Sequence, residues 1–92
     1  MIISFRCKHT ESLAQGKRVK KFIHIERAAL RKIRQLQSAL ILDDLKVPPG
    51  NKLERLQGDR KEFYSIRINR QFRLCFLWTL LGAEEVEITD YH

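Results

Sequence analysis

Ninety-two residues carrying 18 Lys and Arg against 11 Asp and Glu, a formal charge of +7, describe one small basic domain. A hydrophobic fraction of 43% excludes a disordered chain, and no apolar run is long enough to span a bilayer. The charge excess points to a polyanionic partner, either a nucleic acid or an acidic surface.

That charge is unevenly spread. Residues 82–92 hold four acids (Glu84, Glu85, Glu87 and Asp90) and no Lys or Arg, which leaves residues 1–81 at 18 bases against 7 acids, +11. A basic body facing an acidic last strand predicts internal charge pairing beside any external partner. Cys7 and Cys75 lack the spacing of a zinc site, and both fall on predicted strands, where free Cys packs as a small hydrophobe. Residues 1–8 show no apolar core followed by a small-residue cleavage site, so a reducing, cytoplasmic compartment is expected.

In chain order, Ile2, Ile3, Phe5 and Cys7 predict a first strand over residues 2–8. Thr10 is a candidate cap for a short helix over residues 11–15, which Gly16 would end. Lys17-Arg18-Val19-Lys20-Lys21 packs four positive charges into five residues, either a solvated connector or part of a phosphate-tracking rim. Phe22, Ile25, Ala29, Ile33, Leu36 and Leu40 recur at helical spacing and predict one helix over residues 22–44. Arg27, Arg31 and Arg34 form a separate basic stripe on it.

Val47-Pro48-Pro49-Gly50-Asn51 reads as a loop, because two prolines cannot continue a helix. A short strand over 53–56 and a turn over 57–60 follow. Residues 62–68 form the next strand, with Tyr64, Ile66 and Ile68 on one face and Phe63, Ser65 and Arg67 on the other. A tight connection at Asn69-Arg70-Gln71 leads to residues 72–79, where Phe72, Leu74, Phe76 and Trp78 oppose Arg73, Cys75, Leu77 and Thr79. Residues 84–91 supply the last strand. The order β-α-α-β-β-β-β predicts an α+β domain: a twisted, mostly antiparallel sheet with two helices packed on one face, and the face bearing Arg67 and Arg73 left open.

RNA can be cut without a metal when a base removes the 2′-OH proton, cations stabilise the charged phosphorus centre and an acid protonates the 5′-oxygen. His92 has the pKa range for either proton transfer. Asp90 can orient an imidazole or accept a proton, and Tyr91 can hydrogen-bond a phosphate or stack on a base. Arg73 and Arg67 can hold a phosphate through paired N–H groups. Each residue has a structural rival: a terminal His frays, and a strand Arg pairs with a cross-strand acid such as Glu85 or Glu87. Trp78 and Phe76 read as core. His9 and His24 are isolated. Composition and spacing give a basic α+β binding module and leave catalysis open.

The motifs Leu56-Gln57-Gly58-Asp59-Arg60, Tyr64-Ser65-Ile66-Arg67-Ile68-Asn69, Gln71-Phe72-Arg73-Leu74-Cys75-Phe76 and Val86-Glu87-Ile88-Thr89-Asp90-Tyr91-His92 resemble, in this order, the HigB toxins of the RelE superfamily. Val47-Pro48-Pro49-Gly50-Asn51 fits the same pattern. The resemblance implies a RelE-like, microbial-RNase-like fold spanning residues 1–92. It implies a ribosome-dependent mRNA endoribonuclease that inhibits translation and needs no cofactor. The implied partners are a HigA-type helix-turn-helix antitoxin, the ribosome and mRNA, with operator DNA reached only through the antitoxin complex and no membrane. By position, Asp90, Tyr91, His92 and Arg73 match the catalytic group. Arg67, Arg70, Lys52, Arg60 and Lys61 are the RNA- or phosphate-binding candidates. Glu54 and Gln57 depart from the pattern, standing where some members carry His and Lys. That departure motivates an alternative, a catalytically weak homologue that serves as an antitoxin-binding corepressor.

Overall fold

The computed structural model describes residues 1–56 and 62–90. Two α-helices, α1 (Lys8–Ala14) and α2 (Glu26–Ser38), pack on one face of a four-stranded antiparallel sheet. Its strands are β1 (Glu54–Arg55), β2 (Phe63–Arg67), β3 (Phe72–Thr79) and β4 (Gly82–Asp90), in the spatial order β1-β2-β3-β4. The core is made by Leu13, Phe22, Ile25, Ala29, Ile33 and Leu36 from the helical layer against Ile66, Leu74, Phe76, Val86 and Ile88 from the sheet. Strand alternation puts Tyr64, Phe72, Phe76 and Trp78 on this covered face. Their rings stack or meet edge to face, Tyr64 on Phe76, Phe76 on Trp78 and Phe72 on Phe22. Among the described residues no helix is long and apolar enough to cross a membrane.

Three predicted elements differ. The first strand reduces to two isolated parallel bridges, Ile2 with Ala83 and Phe5 with Val86. Its backbone alternates between β4 and other partners: the Ile3 N–H donates to the Ala83 carbonyl, and the Ile2 N–H donates to the Gln37 side chain. A bulge in β4, with Glu85 at φ 51°, lets Ser4 accept the Glu85 and Val86 N–H groups. Gly82 at φ +139° is required here, since a Cβ would sit 2.3 Å from the Met1 carbonyl oxygen.

The short helix starts at Lys8, earlier than its predicted cap, and Thr10 lies inside it. Thr10 is fully buried, and its hydroxyl oxygen accepts the Ile88 N–H at 3.0 Å, tying α1 to β4. Gly16 ends the helix as expected, at φ 88° with its N–H donating to the Leu13 carbonyl.

The long helix is shorter than its periodicity. Lys20–Ile25 form a 3-10 segment that still buries Phe22 and Ile25, and the α-helix ends at Ser38. Leu40, predicted on the core face, is 88% exposed. Past the helix end, the Asp44 carboxylate accepts the Leu40 and Ile41 N–H groups and starts a second 3-10 segment, Leu42–Lys46. These bonds hold the Asp44 carboxyl below its ordinary range.

Lys32 is the residue on α2 that its polar character does not anticipate. It is buried, and its ammonium donates to the Asn51 side-chain oxygen. Burial, with Arg31 as a lesser cause, lowers its pKa. Asn51, fully buried at the end of a short 3-10 turn (Pro49–Asn51), donates its own amide hydrogens to Gln35, Leu45 and Val47. One side chain thus closes the proline loop onto α2. Replacing Asn51 by Leu leaves the Lys32 ammonium and two carbonyls unmatched, and should lower unfolding free energy by about 3 kcal/mol. Urea titration followed by circular dichroism would measure this as a lower midpoint at unchanged slope.

Candidate active site

The face of the sheet turned away from the helices carries the charged residues. Cross-strand register places Arg67 of β2 opposite Arg73 of β3, and Arg73 opposite Thr89 of β4. The next row is Glu54, Ser65, Cys75 and Glu87. This is the alternation the sequence predicts. The expectation of an open face is corrected near β1: Ser65, Arg73 and Cys75 are buried.

Arg73 is the organising residue. Its Nε donates to the Ser65 hydroxyl at 2.7 Å, and Nη2 donates to the carbonyl oxygens of Lys52 and Ser65. The Glu54 carboxylate lies 3.6 Å from Nη2. Lys52 adopts φ 45°, a left-handed conformation, and its carbonyl is the one that accepts from Arg73. The side chain of Arg67, directly across the strand pair, has no hydrogen bond or ion pair among the described residues. Two guanidinium groups at opposed strand positions repel one another, and an anion placed between them removes that repulsion.

The remaining candidates divide by position. Lys52 joins Arg73 through its backbone and keeps an exposed side chain. Arg70 sits in the β2–β3 connection, which is shaped by the Asn69 side-chain oxygen accepting the Gln71 and Phe72 N–H groups. Asp90 pairs with Phe72 at the end of β4, where its carboxylate accepts from the Gln71 amide at 3.1 Å. By alternation it stands one position out of phase with Thr89. Arg60, Lys61, Tyr91 and His92, like Gln57, lie outside the described residues.

Ser65 and Glu54 were not singled out as partners of Arg73. The signal for Ser65 was its place two residues before Arg67 on the same face. For Glu54 there was none, since pairing of the short β1 with β2 is a tertiary fact. The acids suggested for a strand Arg, Glu85 and Glu87, lie within 3.9 Å and 3.6 Å of Arg6. The acidic last strand therefore does pair internally, with the N-terminal segment.

A family profile described as RelE-like toxin of type II toxin-antitoxin system HigB matches residues 4–92. The chain belongs to this HigB-like toxin family. Toxin HigB-1 of Vibrio cholerae is 39% identical over 80 residues, spanning 85% of this chain and 84% of the relative. An uncharacterized protein of Haemophilus influenzae is 39% identical over 46 residues, half of this chain and 46% of that protein. Among solved structures, the YoeB-YefM complex from Staphylococcus aureus superposes with a TM-score of 0.62 at 22% identity, covering all of this chain and 95% of that one. At that identity the match speaks for a shared RelE-like fold.

In this HigB-like chain Ser65 is a positioning residue for Arg73. Ser65→Ala should lower stability by about 1–2 kcal/mol, because Nε loses a buried acceptor. Glu54→Gln, at the exposed end of the same guanidinium, should change it by no more than about 0.5 kcal/mol. Paired urea titrations of the two variants would check the contrast.

Proposed function

We propose that this HigB-like protein is a ribosome-dependent mRNA endoribonuclease, inhibited by a HigA-type helix-turn-helix antitoxin. The observation that carries the reading is the opposed pair Arg67 and Arg73, with Arg73 pinned by buried partners and the Arg67 side chain without a partner among the described residues. A fixed cation beside an adjustable one suits a phosphate that gains negative charge as it reacts. Family membership supplies the rest of the support.

In the proposed reaction the 2′-oxygen attacks the adjacent phosphorus, and its proton passes to a general base. The P–O5′ bond breaks, and a general acid delivers a proton to the departing 5′-oxygen. The products are a 2′,3′-cyclic phosphate and a 5′-hydroxyl. Arg73 and Arg67 bind the non-bridging oxygens, with Lys52 and Arg70 at the margins. Asp90, Tyr91 and His92 are the proposed proton-transfer and orienting groups, assigned by the family pattern. Arg60 and Lys61 are proposed RNA contacts on the same basis. Operator DNA would be met only in the antitoxin complex.

Arg73→Ala should cut mRNA cleavage in cells by at least about 100-fold and abolish growth arrest. Because Arg73 is also buried, Arg73→Lys is the companion variant: it keeps a cation but loses the paired N–H geometry, and should be nearly as inactive. Mapping mRNA ends after induced expression, with a chain lacking His92 in parallel, tests the assignment. Full cleavage by all three would rule it out.

A second reading has one specific observation behind it. Glu54 sits 3.6 Å from the Arg73 guanidinium, where a carboxylate competes with phosphate. On this reading the protein is a weak nuclease whose main role is to hold the antitoxin. Glu54→Gln should then raise cleavage about fivefold, the effect of roughly 1 kcal/mol of half-screened repulsion. An unchanged rate would dismiss the competition.

A further inference from the structure

The basic run of residues 17–21 is unused by the reading above, and the fold gives it a shape. With His9 and Ser12 of α1 it lines a groove of about 620 Å³. Among the lining residues Val19 is buried, and Lys17, Arg18, Lys20 and Lys21 are exposed. The nearby acids are Glu11, exposed on α1, and Glu26, which Arg18 approaches to 3.5 Å. Lys17, Lys20 and Lys21 have no carboxylate within ion-pair distance among the described residues, and the Lys21 ammonium rests 5.5 Å over the Phe22 ring.

The groove also has a defined place. Phe22 packs edge to face on Phe72 at 6.3 Å, and Phe72 is the register partner of Asp90. The segment following the groove is therefore anchored at the end of the sheet where β4 finishes and the β2–β3 connection turns. Lysine ammonium groups line this groove together with an imidazole, a hydroxyl and an apolar side chain. Such a groove suits a sugar–phosphate chain, whose phosphates meet the cations and whose riboses meet the less polar lining.

We propose that the groove between α1 and residues 17–21 binds an RNA sugar–phosphate backbone, as a second contact separate from Arg67 and Arg73. It rests on the reading that the protein acts on RNA and extends that reading to a docking surface away from the cleaved bond. Its role is to hold RNA in register while the sheet face engages the scissile phosphate.

The test uses the full chain and a short unstructured RNA with 2′-O-methyl riboses, which cannot be cut. Fluorescence anisotropy across a salt series compares wild type with K17Q/R18Q/K20Q and with R31Q/R34Q/K46Q, which removes three exposed charges that do not line the groove. The groove variant should flatten the slope of log affinity against log salt by about 2, at roughly 0.7 per phosphate contact. The other triple variant should keep the wild-type slope. Lys20→Gln alone, losing a third of that effect, covers the case in which the triple variant does not fold. Equal slopes for both triple variants would overturn the proposal. So would a wild-type chain that binds no RNA at low salt. Cleavage is measured separately, with mRNA ends in cells: its absence in wild type while the groove still binds RNA would count against the nuclease chemistry alone.

Discussion

A guanidinium cannot shed its charge, so burying one forces the surrounding structure to supply acceptors. Arg73 imposes that constraint on this protein. It draws the Ser65 hydroxyl, the Ser65 carbonyl and the Lys52 carbonyl to itself, from β2 and from the segment leading into β1. The left-handed turn at Lys52 aims a backbone oxygen that a right-handed residue would direct elsewhere. The same bonds that satisfy the buried charge fix the direction of the guanidinium.

A second buried cation is used differently. Lys32 is satisfied by Asn51 on the helical side, the residue before Lys52, and serves to dock the proline loop. Among the described residues two cations, Lys32 and Arg73, are buried, and each is bonded to polar groups. Surface pairs such as Arg6 with Glu85 and Glu87 are exposed and contribute little to stability, but they order the N-terminal segment against β4.

The sheet was legible in the sequence because residues 62–68 and 72–79 alternate with period two, and Arg67 and Arg73 fall on the face opposite Tyr64, Phe72, Phe76 and Trp78. The helices were legible in kind but not in length. Phe22 keeps helical spacing while its backbone is 3-10, so periodicity alone runs the two segments together, and Leu40 follows the period by chance beyond the helix end. The first strand failed as a strand because its residues must share hydrogen bonds with Gln37 and with a bulged β4. On the sheet face, the placement of Arg67 and Arg73 on neighbouring strands could be read. What local sequence does not encode is the company Arg73 keeps, since Ser65, Lys52 and Glu54 reach it through tertiary pairing.

The bridges between Ile2–Phe5 and β4 join segments about eighty residues apart, and Thr10 adds another link of the same span to Ile88. Contacts this distant in sequence close late, after the entropy of the long intervening loop has been met. Until β4 is in place, Thr10 and Leu13 have no strand to cover, and Arg73 has a neighbour on one side only. Arg73 can reach Ser65 and Lys52 before that stage, and the row it shares with Thr89 is completed last. The charged face of the sheet is thus completed by the strand whose contacts span the most chain.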